Sequence, residues 1–360
     1  MNGFRLGLAL AAAVLSVSPA PADGPKNVCS MMNGEIRAPG MPVWAALPGA
    51  WANRSGSSNG GRAWTPRFPN GAPTPAGDKP HGNRSADLQS FLIAGTPVEL
   101  IFRSLQAGEA ILVKAKADPA ITSVVLTFRK QTRRIEIVSG MDATALLGID
   151  VDTNPGPYAL EVSVKRLDGS IQTNTRELVV ERKEFPKSEI SLDPKLLVPP
   201  PGEAERVKRE AELVAAVLSV VSPEWLATGN FVSPLPDREP FPNFGQRRIY
   251  NKTSRSTHAG VDFAAPSGTP ARASNAGRVV LAAKLYLSGN TVIIDHGLGV
   301  FSYYCHFSKL LVKRGDLVRK GEQIAQVGTT GRSTGPHLHW SLRLLDSRID
   351  PFSLVSLPLK

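Results

Sequence analysis

The sequence predicts a mostly β protein in three parts: an N-terminal immunoglobulin-like β-sandwich, a linker helix and a C-terminal antiparallel β domain. Short β-type runs recur between turn signals from about residue 95 to 182. A single apolar stripe of helical period follows. Beyond residue 240, short strands separated by glycine turns return with no βαβ alternation. The 360 residues suffice for two domains.

The first 22 residues read as an export signal, with Arg5 as the charged end, Leu6 to Val17 as the apolar run and Ala20-Pro21-Ala22 as a small-residue cleavage site. A run of about 12 residues is too short to span a bilayer, and no later apolar run is long enough, so no stable membrane span is expected after cleavage. Lys26-Asn27-Val28 before Cys29 lacks the small residues of a lipid-attachment site. Residues 23–87 hold 19 Gly and Pro in 65 positions and are expected to be a low-complexity, mostly disordered tail.

The sandwich is expected over 88–183. Its runs are Val98 to Phe102, Ile111 to Lys114, Val124 to Phe128, Ile135 to Val138, Tyr158 to Val164 and Glu177 to Val180, punctuated by Asn154-Pro155-Gly156-Pro157 and Asp168-Gly169. About seven strands fit that length. The region has no His and no Cys, so its role is expected to be positional.

A linker over 184–240 contains the helix, expected at 203–221. Val207, Ala211, Val214, Leu218 and Val221 fall on one face, which is expected to pack on a neighbouring domain, and Ser222-Pro223 stops it. The C-terminal domain is expected over 241–360, with strands at 278–281, 291–295, 301–307, 323–327 and 337–344.

Five of the six histidines lie in that last part: His258, His296, His306, His337 and His339, with Asp262 four residues after the first. Zinc takes imidazole nitrogen and carboxylate oxygen at roughly 2.0–2.2 Å, and a catalytic site offers three such ligands and an open position. Two neutral imidazoles and one carboxylate leave the bound ion with a net charge near +1, which acidifies a bound water. One zinc ion and hydrolytic chemistry are therefore expected.

In His337 to Leu344 the alternation puts Leu338, Trp340, Leu342 and Leu344 on one face and both histidines on the other, about 7 Å apart. One can bind metal while the other stands behind it. His306 is expected to share a strand face with Tyr304, opposite Cys305 and Phe307. Cys305 is expected to face the core as a small apolar residue, although an exported chain could pair it with Cys29. His296 precedes a glycine turn and is expected to be structural. Arg247 and Arg248 are candidates to orient substrate carboxylates.

Of the chain's 42 Lys and Arg against 31 Asp and Glu, the stretch from Phe241 to Lys360 holds 16 basic residues and only six acidic ones. A basic surface suits anionic partners such as cell-wall peptides, acidic polymers or nucleic acid. The export signal and the absence of a stacking-aromatic motif argue against nucleic acid.

Together, Phe244-Gly245-Gln246-Arg247-Arg248, His258-Ala-Gly-Val-Asp262-Phe-Ala-Ala-Pro266, Gly268-Thr269-Pro270, Tyr304-Cys-His306, Thr334-Gly-Pro-His337-Leu-His339-Trp340 and Ile349-Asp350-Pro351 resemble the lysostaphin-type, LytM-like zinc metallopeptidases over about 241–352. The resemblance implies a zinc endopeptidase, exported to the periplasm or cell envelope, that acts on peptidoglycan peptide stems. By position, it makes His258, Asp262 and His339 the zinc ligands and His306 and His337 the catalytic pair that is not bound to the ion. Many members have Phe-Glu after the last histidine, where this chain has Trp340-Ser341. The rival reading is a non-catalytic or autoinhibited wall-binding regulator of another hydrolase; the presence of all five residues argues against the non-catalytic form.

Overall fold

The computed structural model describes residues 87–359 apart from 94, 117, 130, 137–141, 192–198 and 253. The expected export signal, the glycine- and proline-rich tail, Cys29 and His81 lie outside the described residues.

Eight strands come first: β1 (Asp87–Ile93), β2 (Thr96–Phe102), β3 (Ala110–Ala115), β4 (Ile121–Phe128), β5 (Gln131–Glu136), β6 (Ala143–Gly148), β7 (Gly156–Arg166) and β8 (Ile171–Val180). They form two antiparallel four-stranded sheets, β1-β2-β3-β6 and β5-β4-β7-β8. Alternation makes the layer. Val98, Leu100 and Phe102 of β2 meet Val124, Leu126 and Phe128 of β4 in one buried cluster, while the residues between them face outward or are only partly buried. The apolar runs marked neither β1, which begins at Asp87 where the tail was expected to end, nor β6. β6 reads Ala-Thr-Ala-Leu-Leu-Gly, a composition as suited to helix as to strand.

β9 (Lys187–Ile190) is followed by α1 (Pro201–Ser219), β10 (Arg247–Tyr250) and β11 (Ser254–Thr257). The helix starts two residues before the expected 203 because proline is well tolerated in a first helical turn. It also stops two residues before the expected 221: Val220 is already extended, and Val220 and Val221 are exposed. β9 pairs parallel with β10, so the linker joins a small sheet with the C-terminal part.

The remaining strands are β12 (Val261–Ala264), β13 (Pro270–Arg272), β14 (Gly277–Leu285), β15 (Gly289–Asp295), β16 (Val300–Leu310), β17 (Leu317–Val318), β18 (Gln323–Val327), β19 (His337–Leu344) and β20 (Ser347–Ile349), with α2 (Pro351–Val355) after them. They make a nine-stranded sheet with the path β12-β19-β16-β15-β14-β17; β18 joins β16 and β13, and β20 joins β19. Phe263, Tyr304, Leu338, Trp340 and Leu342 fill the core on one face. On the other, Val214 and Leu218 of α1 pack with Leu281, Phe301, Tyr303 and Cys305, so the apolar stripe of the helix is spent on the sheet and Cys305 is buried there.

The two halves are held together by buried charge. Arg348 on β20 donates to both carboxylate oxygens of Asp150, at 2.7 and 3.0 Å, and to Asp152 at 2.6 Å. Arg103 bridges Glu109 and Asp350, each at 2.7 Å. Gln131 donates to Ser347 at 2.6 Å, across a contact so close that a Cβ at Gly148 would lie 2.7 Å from that of Ser347.

One expectation fails on β16. Strict alternation puts His306 beside Tyr304, but Tyr304 and Phe307 both lie in the core. The register explains this: Val292 pairs with Tyr304 and Asn290 with Phe307, so β16 carries one extra residue. His306, within that bulge, takes a left-handed backbone with φ 66°. A bulge re-aims its side chain, and here it leaves the core face.

Candidate active site

Register places the first half of the site. β12 and β19 run antiparallel with Asp262 directly opposite His339, so the two side chains rise on the same face. His258 reaches them from just before β12. Its Nε2 is 3.1 Å from Asp262 Oδ1 and 2.9 Å from His339 Nδ1, which is itself 2.9 Å from Asp262 Oδ1. Gly260 makes this approach possible, since a Cβ there would lie 2.6 Å from Trp340 O and 2.7 Å from His339 Cε1.

The donor chemistry fits zinc. Burial pushes His258 down to about 4, which keeps it neutral near pH 7. Burial alone would raise Asp262, but the two facing imidazoles outweigh it and hold the carboxyl well below its ordinary range. Two nitrogens and one carboxylate oxygen, at separations of 2.9–3.1 Å, compare with about 3.3 Å between ligands of a tetrahedral ion with bonds of roughly 2.0–2.1 Å. A spread of a few tenths of an ångström would seat the ion and leave a fourth position open.

The second half joins His306, from the β16 bulge, with His337, the first residue of β19. The His306 and His337 rings are 4.7 Å apart, and His306 is 6.5 Å from His339. His306 Nδ1 donates to Thr330 O at 2.8 Å, and His337 Nδ1 donates to Gly335 O at 2.8 Å. In each neutral ring that leaves the lone pair on Nε2. Burial, followed by the neighbouring His337, pushes His306 down to about 3. Thr330 is the anchor of this half: its hydroxyl accepts from Asn290 N and donates to Phe307 O, both at 2.8 Å.

His296 stands apart from the cluster. It is fully buried, with Nδ1 on Ala276 O and Nε2 on Ser302 Oγ, both at 2.7 Å, which matches a structural role. The arginines are not laid out to receive substrate. Arg247 is bound to Asp152 and to Val151 O of the N-terminal half. Arg248 donates to Asp262 Oδ2 at 3.1 Å and to Gln246 at 2.8 Å.

Sequence reasoning passed over Asn243. Its backbone oxygen accepts from His258 Nδ1 at 2.8 Å, and its side chain donates to Asp262 Oδ2 at 2.9 Å. The only signal in the sequence was its place directly before Phe244-Gly245.

The sequence model of Peptidase family M23 matches residues 256–351. The peptidoglycan DD-endopeptidase ShyA of Vibrio cholerae serotype O1 is 46% identical over 101 residues, which cover 28% of this chain and 24% of that protein. The DD-carboxypeptidase/endopeptidase Mpg of Neisseria meningitidis serogroup B is 46% identical over 101 residues, covering 28% of this chain and 23% of its own. The chain thus spans about a quarter of the length of these curated relatives. A solved structure from Pseudomonas aeruginosa, described as a peptidase M23, aligns with a TM-score of 0.53 at 29% identity, covering 70% of this chain and 96% of that one. That likeness reaches well beyond the matched residues. Residues 256–351 of this chain are therefore a peptidase family M23 domain.

Proposed function

We propose that the chain is an exported zinc-dependent endopeptidase that hydrolyses peptide cross-links of peptidoglycan, working in the periplasm or cell envelope. The observation that carries this reading is the convergence of His258, Asp262 and His339 within 2.9–3.1 Å, with the His306 and His337 rings beside them. The relatives' names, peptidoglycan DD-endopeptidase and DD-carboxypeptidase/endopeptidase, support a DD bond as the one cut, and we take peptidoglycan peptide stems as the partner.

In this reading His258 Nε2, Asp262 Oδ1 and His339 Nδ1 would hold one zinc ion, which would supply polarisation of the scissile carbonyl and a water whose pKa is lowered toward about 7. No glutamate adjoins the ligands, so the base is an imidazole, His337 in our assignment. Its Nε2 takes the proton as the water oxygen bonds to the carbonyl carbon, and returns it to the leaving nitrogen as the C–N bond breaks. His306 is assigned to the developing oxyanion; because burial keeps its Nε2 unprotonated in the free protein, it can donate only if the oxyanion's negative charge draws a proton onto it in the complex. Its fixed Nδ1–Thr330 bond aims the ring at no cost in reorganisation.

The organisation that goes with this function is an export signal over 1–22, a tail over 23–87, a sandwich over 88–183 read as immunoglobulin-like, a linker over 184–240 and the metallopeptidase domain over 241–360. The sandwich is a positioning unit.

The test is turnover of purified, cross-linked peptidoglycan by the mature protein, with products identified by mass and His339→Ala as control. New peptide ends that require zinc and vanish in the control support the enzyme and name the bond. Zinc binding without any cleavage would overturn it in favour of a wall-binding regulator.

A further inference from the structure

We propose that Asn243 is a positioning residue of the metal centre, choosing which atom of His258 and which atom of Asp262 face the ion. The inference rests on the zinc reading above.

A histidine has two ring nitrogens and a carboxylate two oxygens, so a site of this kind is defined only when the unwanted atoms are occupied. Asn243 occupies one atom on each ligand. Its backbone oxygen accepts the Nδ1 proton of His258 at 2.8 Å, which leaves Nε2 as the lone pair toward Asp262 and His339. Its side-chain nitrogen donates to Asp262 Oδ2 at 2.9 Å, beside Arg248, while Oδ1 is the oxygen that faces both imidazoles. The amide cannot serve equally well flipped, because its oxygen also accepts from the backbone N of Asp262 at 3.2 Å. One residue therefore holds His258 as an Nε2 donor and Asp262 as a single-oxygen donor.

The turn that carries Asn243 is itself fixed from several sides. Phe241 N donates to Asp262 O at 2.8 Å, Gly245 N to His258 O at 2.7 Å, and His258 N to Gln246 O at 2.9 Å. Next to Asn243, Phe244 is buried against Gly108 of the N-terminal half, where a Cβ would fall 2.3 Å from its ring. A Cβ on Gly245, at φ 73°, would meet the Phe185 ring at 2.0 Å.

The test separates donation from shape. Asn243→Asp keeps the size, the backbone carbonyl and the acceptor for Asp262 N but sets a second carboxylate against Oδ2, so Asn243→Ser, which adds no charge, is read beside it. Zinc affinity is read by competition with a chromophoric chelator, beside the visible spectrum of the cobalt(II)-loaded protein and the thermal midpoint of the metal-free form. The expected result is a roughly 10–100-fold loss of zinc affinity, with the metal-free form still folded at the temperature of the titration. A changed visible spectrum is also expected, because Arg248 alone then holds Oδ2 away from the imidazoles. Equal affinity and an unchanged cobalt spectrum would overturn the role of Asn243 while leaving the metal site standing. A wild-type protein that binds no zinc would instead sink the metal reading itself. If Asn243→Asp does not fold, the same readings on Asn243→Ser decide.

Discussion

Asp262 and His339 face each other across a regular antiparallel pair, whereas His306 comes from a bulge and His337 follows directly on a glycine-bearing loop. The first arrangement is inherited from the sheet: once β12 and β19 pair, the two groups have no other place to be. The second depends in addition on local bonds, to Thr330 and Gly335, that set the orientation of the two rings. Of the proposed ligands, Asp262 and His339 are thus placed by register, while His258 is held by the turn at Asn243. Of the proposed proton-transfer pair, His337 sits on the same paired strand, opposite Ala264, and only His306 owes its place to the bulge.

The largest effect that sharpens this contrast is His339→Ala. We expect protein without zinc by metal analysis and no new peptide ends from peptidoglycan. His337→Ala, two residues away on the same strand, should instead keep its zinc while turnover falls by roughly 10²–10⁴-fold. A metal-free His337→Ala protein would break the division between the halves.

Next comes the support beneath the sheet. Arg348→Ala strands the Asp150 carboxylate, and breaking a buried pair of this kind costs about 3–5 kcal/mol of stability, read by denaturant unfolding. Zinc affinity should stay unchanged if register and the turn at Asn243 alone place the ligands. The same pair gives a pH signature. Burial raises Asp150, but its bonds to Arg348 outweigh that and depress it below 3.8. Its stabilisation is therefore present above pH 3.8 and lost as pH falls through the folded value. That acid-sensitive part of the stability should disappear in Arg348→Ala.

The smallest effect isolates backbone strain. Both His306→Ala and His306→Gly lose the imidazole and its bond to Thr330, but only glycine accepts φ 66° freely. The glycine variant should be the more stable of the two by about 1 kcal/mol. Equal midpoints would mean that the bulge is unstrained.

The same division governs what could be read from the sequence. The alternation from His337 to Leu344 survives intact in β19, so which residues share the face of His339 was legible from the pattern alone. His306 was not, because an inserted residue in a strand changes parity without altering composition. Asn243 was hidden for a different reason: its two ligand contacts span 15 and 19 residues and come from a turn, where no periodicity applies. In the N-terminal half, β6 escaped because alanine and leucine do not announce a strand, although its partners β3 and Gln131 hold it in place.

The bond between Asp150 and Arg348 also sets an order in time. The two residues are 198 positions apart, and a ribosome adding about 5–20 residues per second needs roughly 10–40 s to cover that distance. Through that interval the first half of the chain can complete its own sheets and pair Glu109 with its own Arg103 and Lys183, but the Asp150 carboxylate must wait for Arg348. The last segment of the peptidase domain therefore carries, in Arg348, the charge that closes the junction with a half of the chain made well before it.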